Sequence, residues 1–361
     1  MSLENKSKIV LPRFIFIIKI SILFELERVS AMDKKTLTLQ DIYDAQERIK
    51  PYTRKTPLLR EASMDEFLGD CQVYLKAEML QVSGAFKMRG AANSILSLND
   101  EQRKKGVICV SSGNHGKACA TVGHLTGTPI TVVLPEDVPQ AKMRGVEKMG
   151  GTVIPAPRDY NKRMAVAYEQ VEKNGYTMVH AYENYGVMAG QGTIGLEILE
   201  DLEDVDTVIV PVSGGGMMSG IATAIKSLKP EVKVIGAQAS NSDGYAASWR
   251  AGKWATIVTQ ATLADGLTCE EPSEPNYSIM KKYVDDFVTA DEDSIRTAVK
   301  LIASEAKLMA EPSACVGVGA VLSGSYKPQP NEKICFVLSG GNWDVNMIGK
   351  ILNDEPVSGV M

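Results

Sequence analysis

The chain has 361 residues, 44% of them hydrophobic and 23% charged, with a formal net charge of −5. That length carries one or two sizeable cores of an ordinary globular protein, and with no basic block nucleic acid is excluded as a partner. Six cysteines without C-x-x-C spacing sit mostly in apolar runs, which implies buried thiols in a reducing, cytoplasmic compartment; of three histidines none pairs with another at metal-ligand spacing, so no metal centre is expected.

In chain order, the first feature is the apolar run 14–24. Lys19 and Ser21 interrupt it, and it is too short and too charged to span a bilayer. No small-x-small cleavage site follows. A helix is expected to open at Thr38-Leu39-Gln40-Asp41, a loose capping pattern. Strand-like runs follow at 73–77, 107–110, 130–134, 153–154, 208–212, 232–236 and 334–338, and the stretches between them have helical spacing. Strands alternating with helices argue for an α/β protein with parallel-rich sheets flanked by helices. Two domains are expected. Residues 33–105 and 183–355 form a large one, 106–182 a small one inserted in it, and 1–32 an N-terminal extension. No regulatory domain fits after Ile351.

Four segments carry chemistry. Ser83-Gly84-Ala85-Phe86-Lys87-Met88-Arg89-Gly90 sets a lysine between a flexible turn and a helix start, where it can hold an aldehyde as a Schiff base. A solvated surface lysine is the plainer reading. Ser111-Ser112-Gly113-Asn114-His115-Gly116 follows a short apolar strand with more hydroxyl, amide and imidazole groups than a helix cap needs. The run 208–212 feeds Ser213-Gly214-Gly215-Gly216-Met217 and then a helix-like stretch. Backbone N–H groups and a helix dipole converge there on one point, which suits a phosphate. One glycine would suffice for a tight turn. No Gly-Lys-Ser/Thr follows, so this is not a nucleoside-triphosphate loop. Last, the run 334–338 ends in Ser339-Gly340-Gly341-Asn342, placing a serine at a strand's C-terminal end, where α/β proteins bind ligands. Gly190-Gln191-Gly192-Thr193-Ile194-Gly195 satisfies G-x-G-x-x-G, but a loop-like stretch precedes it rather than a strand, which argues against a dinucleotide site.

Together with Ala189-Gly190-Gln191-Gly192-Thr193, these motifs resemble the fold type II pyridoxal phosphate enzymes (tryptophan synthase β-like) and, more narrowly, the serine/threonine ammonia-lyases (dehydratases) and serine racemases. The resemblance spans about 37–351 with the motifs in the expected order. It implies that Lys87 carries the cofactor as a Schiff base and that Phe86 packs beside it. It further implies that Asn114 meets the pyridine 3-hydroxyl, Ser339 the pyridine nitrogen, and Ser213, Gly214, Gly215, Gly216 and Met217 the phosphate. Ser111, Ser112, Asn114 and His115 would grip the substrate carboxylate through backbone and side-chain donors.

The implied chemistry is β-elimination on L-threonine or L-serine by a homodimer or homotetramer, with Lys87 moving the α proton. The alternatives are a serine racemase and an ammonia-lyase of the hydroxyaspartate or ectoine-pathway type. Racemisation needs a second acid/base group on the far face, and Ser112 stands where serine racemases carry theirs; hydroxyaspartate-type lyases carry it too. Ser213 departs from the glycine most relatives have and resembles the ectoine-cluster dehydratases. Ala237-Gln238-Ala239-Ser240 stands where serine racemases place a glutamate for a divalent cation. With Asp243 nearby, a divalent cation, a monovalent one or none is left open.

Overall fold

The computed structural model describes residues 36–111, 113–138, 140–269 and 273–357. Leu37–Met361 forms one compact unit. The expected extension at 1–32, with its apolar run, lies outside the described residues. The first described helix, Leu39–Ile49, opens as its capping pattern predicts: Thr38 accepts from the Asp41 N–H, and the Asp41 carboxylate accepts from the Thr38 N–H.

The described strands form two sheets. The larger has the order β1 (Leu58–Arg60), β2 (Gln72–Ala77), β10 (Lys333–Leu338), β7 (Thr207–Pro211), β8 (Lys233–Ala239), β9 (Asp286–Ala290). The smaller has the order β5 (Thr152–Ala156), β4 (Ile130–Pro135), β3 (Val107–Val110), β6 (Thr177–Met178). All pairings are parallel except β1 with β2. The central strands β3 and β7 are buried along their whole length, which is why they read as unbroken apolar runs rather than alternating ones. This is the α/β class expected. The strands of the smaller sheet all come from 107–178.

Three helices meet backbone to backbone beneath the site. A Cβ on Gly90 of helix Lys87–Leu96 would lie 2.8 Å from the Val187 carbonyl oxygen. One on Gly192 of helix Tyr185–Asp201 would lie 2.9 Å from the Gly220 carbonyl oxygen of helix Gly216–Leu228. The G-x-G-x-x-G pattern is therefore explained by close helix packing: it runs inside a helix, not from strand to helix.

The same helices enclose four charged side chains. Arg89 donates to both oxygens of Glu78 (2.8 and 2.8 Å) and to both of Glu197 (2.6 and 2.8 Å). Lys76 donates to Glu197 (2.7 Å) and to the Thr56 carbonyl (2.7 Å). Two cations thus meet two anions in the interior, with the guanidinium fork satisfying two carboxylates at once. Arg89 stands two residues after Lys87, so this cluster anchors the first turn of the helix that presents the lysine.

Candidate active site

The C-terminal ends of β2, β10 and β7 lie side by side, and each leads into one of the expected motifs. This is the edge where open parallel sheets bind ligands. The turn after β2 is stitched to the turn after β10. The Phe86 N–H donates to the Ser339 carbonyl (2.9 Å), the Gly341 N–H to the Gly84 carbonyl (3.0 Å), and Ala85 pairs with Gly340 in an isolated bridge. Gly84 has φ +79°, and a Cβ there would press on the Asn342 amide oxygen, so only glycine fits.

Lys87 is the first residue of its helix. Its Nζ donates to the Ala181 carbonyl (2.7 Å) and stands 5.0 Å from the Phe86 ring centroid. Burial pulls its pKa down to about 8, far below that of a surface lysine. A neutral, nucleophilic amine is therefore accessible near physiological pH.

Beyond β7, Gly215 has φ +93° and caps helix Gly216–Leu228 with no side chain accepting from its first turn. The leading N–H groups of a helix have no acceptor within it. Here they are left pointing out of the turn formed by Ser213, Gly214, Gly215, Gly216 and Met217. A Cβ on Gly214 would collide with the Tyr182 ring, and one on Gly216 would lie 2.9 Å from the Tyr182 carbonyl oxygen. Asn276 (2.9 Å) and Tyr245 (3.1 Å) hold the Gly214 carbonyl from behind. An uncapped helix start with a glycine cradle and an adjacent desolvated lysine fits a phosphorylated aldehyde. Ser339 is buried and directly follows β10.

The segment after β3 closes the site from the smaller sheet. Asn114 opens helix Asn114–Thr126; its Nδ2 donates to Glu311 (2.8 Å), and its Oδ1 accepts from the Asn342 side chain (2.9 Å). The Ser111 hydroxyl accepts from the Gly113 N–H (3.2 Å). Ser112 lies outside the described residues.

The side chain of His115 is not where the sequence reading puts it. One residue further along the helix than Asn114, it points about 100° away, into the core. There its Nε2–H donates to the Val179 carbonyl (2.9 Å), and burial pulls its pKa down to about 3. Any contact from residue 115 to a substrate is thus left to its backbone N–H. Its ring lies with Cys109 and Cys119, their ligand atoms all within 4.8 Å of one another. The bond to Cys109 and burial push the Cys119 thiol well up, while the His115 imidazole stays neutral. At the expected cation position, Gln238 is spent on the Val212 carbonyl (3.2 Å) and the Ala246 N–H (2.9 Å), and Asp243 is paired with Arg250.

Two site residues escape sequence reasoning. Tyr182 follows the carbonyl that holds Lys87 and lies across the glycine loop. Glu311 is the N-cap residue of a Pro-started helix, yet its carboxylate makes no cap bond and accepts from Asn114 and from the Asn342 N–H (3.1 Å).

Among the described residues no helix is long and apolar enough to cross a membrane. Residues 49–340 match the family of pyridoxal-phosphate dependent enzymes. An L-threonine ammonia-lyase of Thermotoga maritima is 42% identical over 317 residues, covering 88% of this chain and 78% of that protein. A catabolic L-threonine dehydratase of Staphylococcus aureus is 38% identical over 331 residues, covering 89% and 96%. The structure of maize serine racemase superposes with a TM-score of 0.84 at 35% identity, covering 89% of this chain and 98% of that one.

Proposed function

Because the chain belongs to the pyridoxal-phosphate dependent enzymes, we propose that it converts a small L-hydroxy amino acid, L-threonine or L-serine, by β-elimination into a 2-oxo acid and ammonia. The observation that carries this reading is the desolvated Lys87 amine, held by the Ala181 carbonyl, whose neighbour Tyr182 lies against an uncapped glycine loop.

Pyridoxal phosphate, when bound, supplies the electron sink that stabilises charge at the substrate Cα. The Lys87 amine holds the cofactor and, once freed, takes the α proton at Nζ. Its depressed pKa leaves a usable neutral fraction at pH 7–8. The backbone N–H groups from Ser213 to Met217 hold the phosphate, and the Phe86 ring covers one face beside the lysine. Ser339 meets the ring nitrogen with a hydroxyl, which does not enforce a proton there as a carboxylate would. Ser111, Ser112, Asn114 and the His115 backbone orient the substrate carboxylate. The segment 106–182 acts as a small domain that closes over the substrate; a substrate-analogue complex with no rotation of this segment would overturn that. The enzyme works in the cytoplasm, a compartment suited to its mostly buried thiols, and as a homodimer at least. Sedimentation at micromolar concentration should find no monomer.

The second reading is a racemase, favoured by Ser112 and by the likeness to the maize protein. Ser112 equally favours a hydroxyaspartate-type lyase, and Ser213 favours an ectoine-type one. Incubation with L-threonine, L-serine and both hydroxyaspartate epimers separates them. We expect 2-oxo acid from L-threonine or L-serine, with one preferred by about 10-fold or more, since single pocket contacts discriminate by about 1–3 kcal/mol. D-serine on chiral analysis with no oxo acid would replace the lyase by the racemase.

A further inference from the structure

Glu311 closes a triangle of hydrogen bonds with two residues of the cofactor loops. Asn114 Nδ2 donates to its Oε1 (2.8 Å), the Asn342 N–H donates to its Oε2 (3.1 Å), and Asn342 Nδ2 donates to Asn114 Oδ1 (2.9 Å). Asn342 continues the network: its Nδ2 also donates to the Ser83 carbonyl (2.9 Å), and its Oδ1 accepts from Lys117 (2.5 Å). The carboxylate itself is clamped. Its own backbone N–H donates to the Gly340 carbonyl (2.9 Å), and a Cβ on Gly340 would lie 2.7 Å from Oε1.

The chemistry of the triangle fixes one amide. An ionised carboxylate only accepts hydrogen bonds. Asn114 must therefore turn its NH2 toward Glu311 and its oxygen toward Asn342. One hydrogen of that NH2 is used by Glu311, and the other is left to donate. Resting on the reading above, in which Asn114 meets the cofactor's ring oxygen, we propose that Glu311 is a positioning residue that locks the Asn114 amide as a hydrogen-bond donor toward the cofactor ring.

The lock depends on charge. Burial, with Asp265 adding to it, pushes the Glu311 carboxyl up to about 7, against the bonds from Asn114 and Asn342 and the charge of Lys117, which hold it down. Among the described residues the titratable groups that face it are Lys117 from helix Asn114–Thr126, Asp265 from the turn Asp265–Leu267 and, from its own helix, the Cys315 thiol, which burial and the Glu311 charge push up. Above pH 7 the carboxylate accepts from both neighbours. As pH falls through 7 one oxygen gains a hydrogen while both its partners remain donors, so one bond is lost and the amide is released. Ionising this carboxyl in place opposes stability, because its folded pKa lies above the ordinary value of 4.5. A charge kept there at the expense of stability is consistent with a role in the site.

The test compares wild type with Glu311→Gln, stripped of cofactor and titrated with pyridoxal phosphate, followed by visible absorption and circular dichroism. The wild-type titration reports on the functional reading; the ratio of variant to wild type reports on Glu311. We expect cofactor binding weakened about 10-fold or more, as for the loss of a charged hydrogen bond. We also expect a wild-type step in the cofactor's circular dichroism near pH 7 that the variant lacks. Equal affinity and an unchanged pH profile would overturn the proposal. Should the variant fail to fold, wild type and Glu311→Asp decide: a step near pH 7 whose midpoint the aspartate moves supports it, and a flat wild-type profile between about pH 5.5 and 8.5 overturns it.

Discussion

Replacing Lys87 by alanine is expected to lower 2-oxo acid formation by on the order of 10³-fold or more, while the protein folds and still takes up cofactor without a covalent link. The size follows from removing both the nucleophile that holds the cofactor and the base that moves the α proton. Full activity in the variant would remove Lys87 from the mechanism, and with it the functional reading. An exogenous primary amine should restore part of the rate, since it replaces a base and not a structural support. The depressed pKa sets two signs. Cofactor capture by the apoprotein should quicken as pH rises and level off above about 8, where the amine is neutral. Apoprotein stability should rise between pH 8 and 10.5, because over that window the unfolded chain holds a proton on this lysine that the folded chain has released.

The second large effect concerns stability. Arg89→Met should destabilise the fold by about 3–5 kcal/mol, the typical cost of removing one partner from a buried ion cluster. Glu78 then keeps no cation among the ion pairs described, and Glu197 keeps only Lys76. Arg89→Lys should recover only part of the loss, because an ammonium has no planar fork to serve two carboxylates. Equilibrium urea unfolding of the holoenzyme at pH 7.5 gives the measurement. A loss under about 1 kcal/mol would show that the interior tolerates the unpaired carboxylates by taking up protons. Catalysis should fall with stability, since the same cluster anchors the first turn bearing Lys87.

Much of this architecture was legible in the chain. Strand β3 lies where the apolar run predicts, and β2, β4, β5, β7, β8 and β10 differ from their predicted bounds at one or both ends. Buried parallel strands need no polar alternation, so their sequences announce themselves. The strands that were missed lack that signal. β1 and β6 have three and two residues, and β9 is a five-residue edge strand, Asp-Phe-Val-Thr-Ala, whose Asp and Thr leave only two consecutive apolar residues. The glycine loop and Lys87 could be read because each motif is local, a turn joined to a helix start. Glu311 could not be read, because Asn114 stands 197 positions away in sequence and no periodicity links them. His115 illustrates the opposite error. It lies within a functional motif, but helix geometry turns its ring away from the partner beside it.

The strand order has a consequence for synthesis. β10 is the last of the described strands, yet it lies between β2 and β7 and pairs with both. The smaller sheet has all its strands once residue 178 is made; the larger cannot join its halves until about 160 further residues have followed, roughly 8–32 s at typical elongation rates. Until β10 follows, β2 and, once residue 211 has been made, β7 each present an open parallel edge to whatever is nearby. Ser339 and the turn that stitches the lysine loop in place come later still. Cofactor capture by the complete site therefore waits for β10 and the turn that follows it, and a nascent chain stalled before β10 is the species most exposed to aggregation.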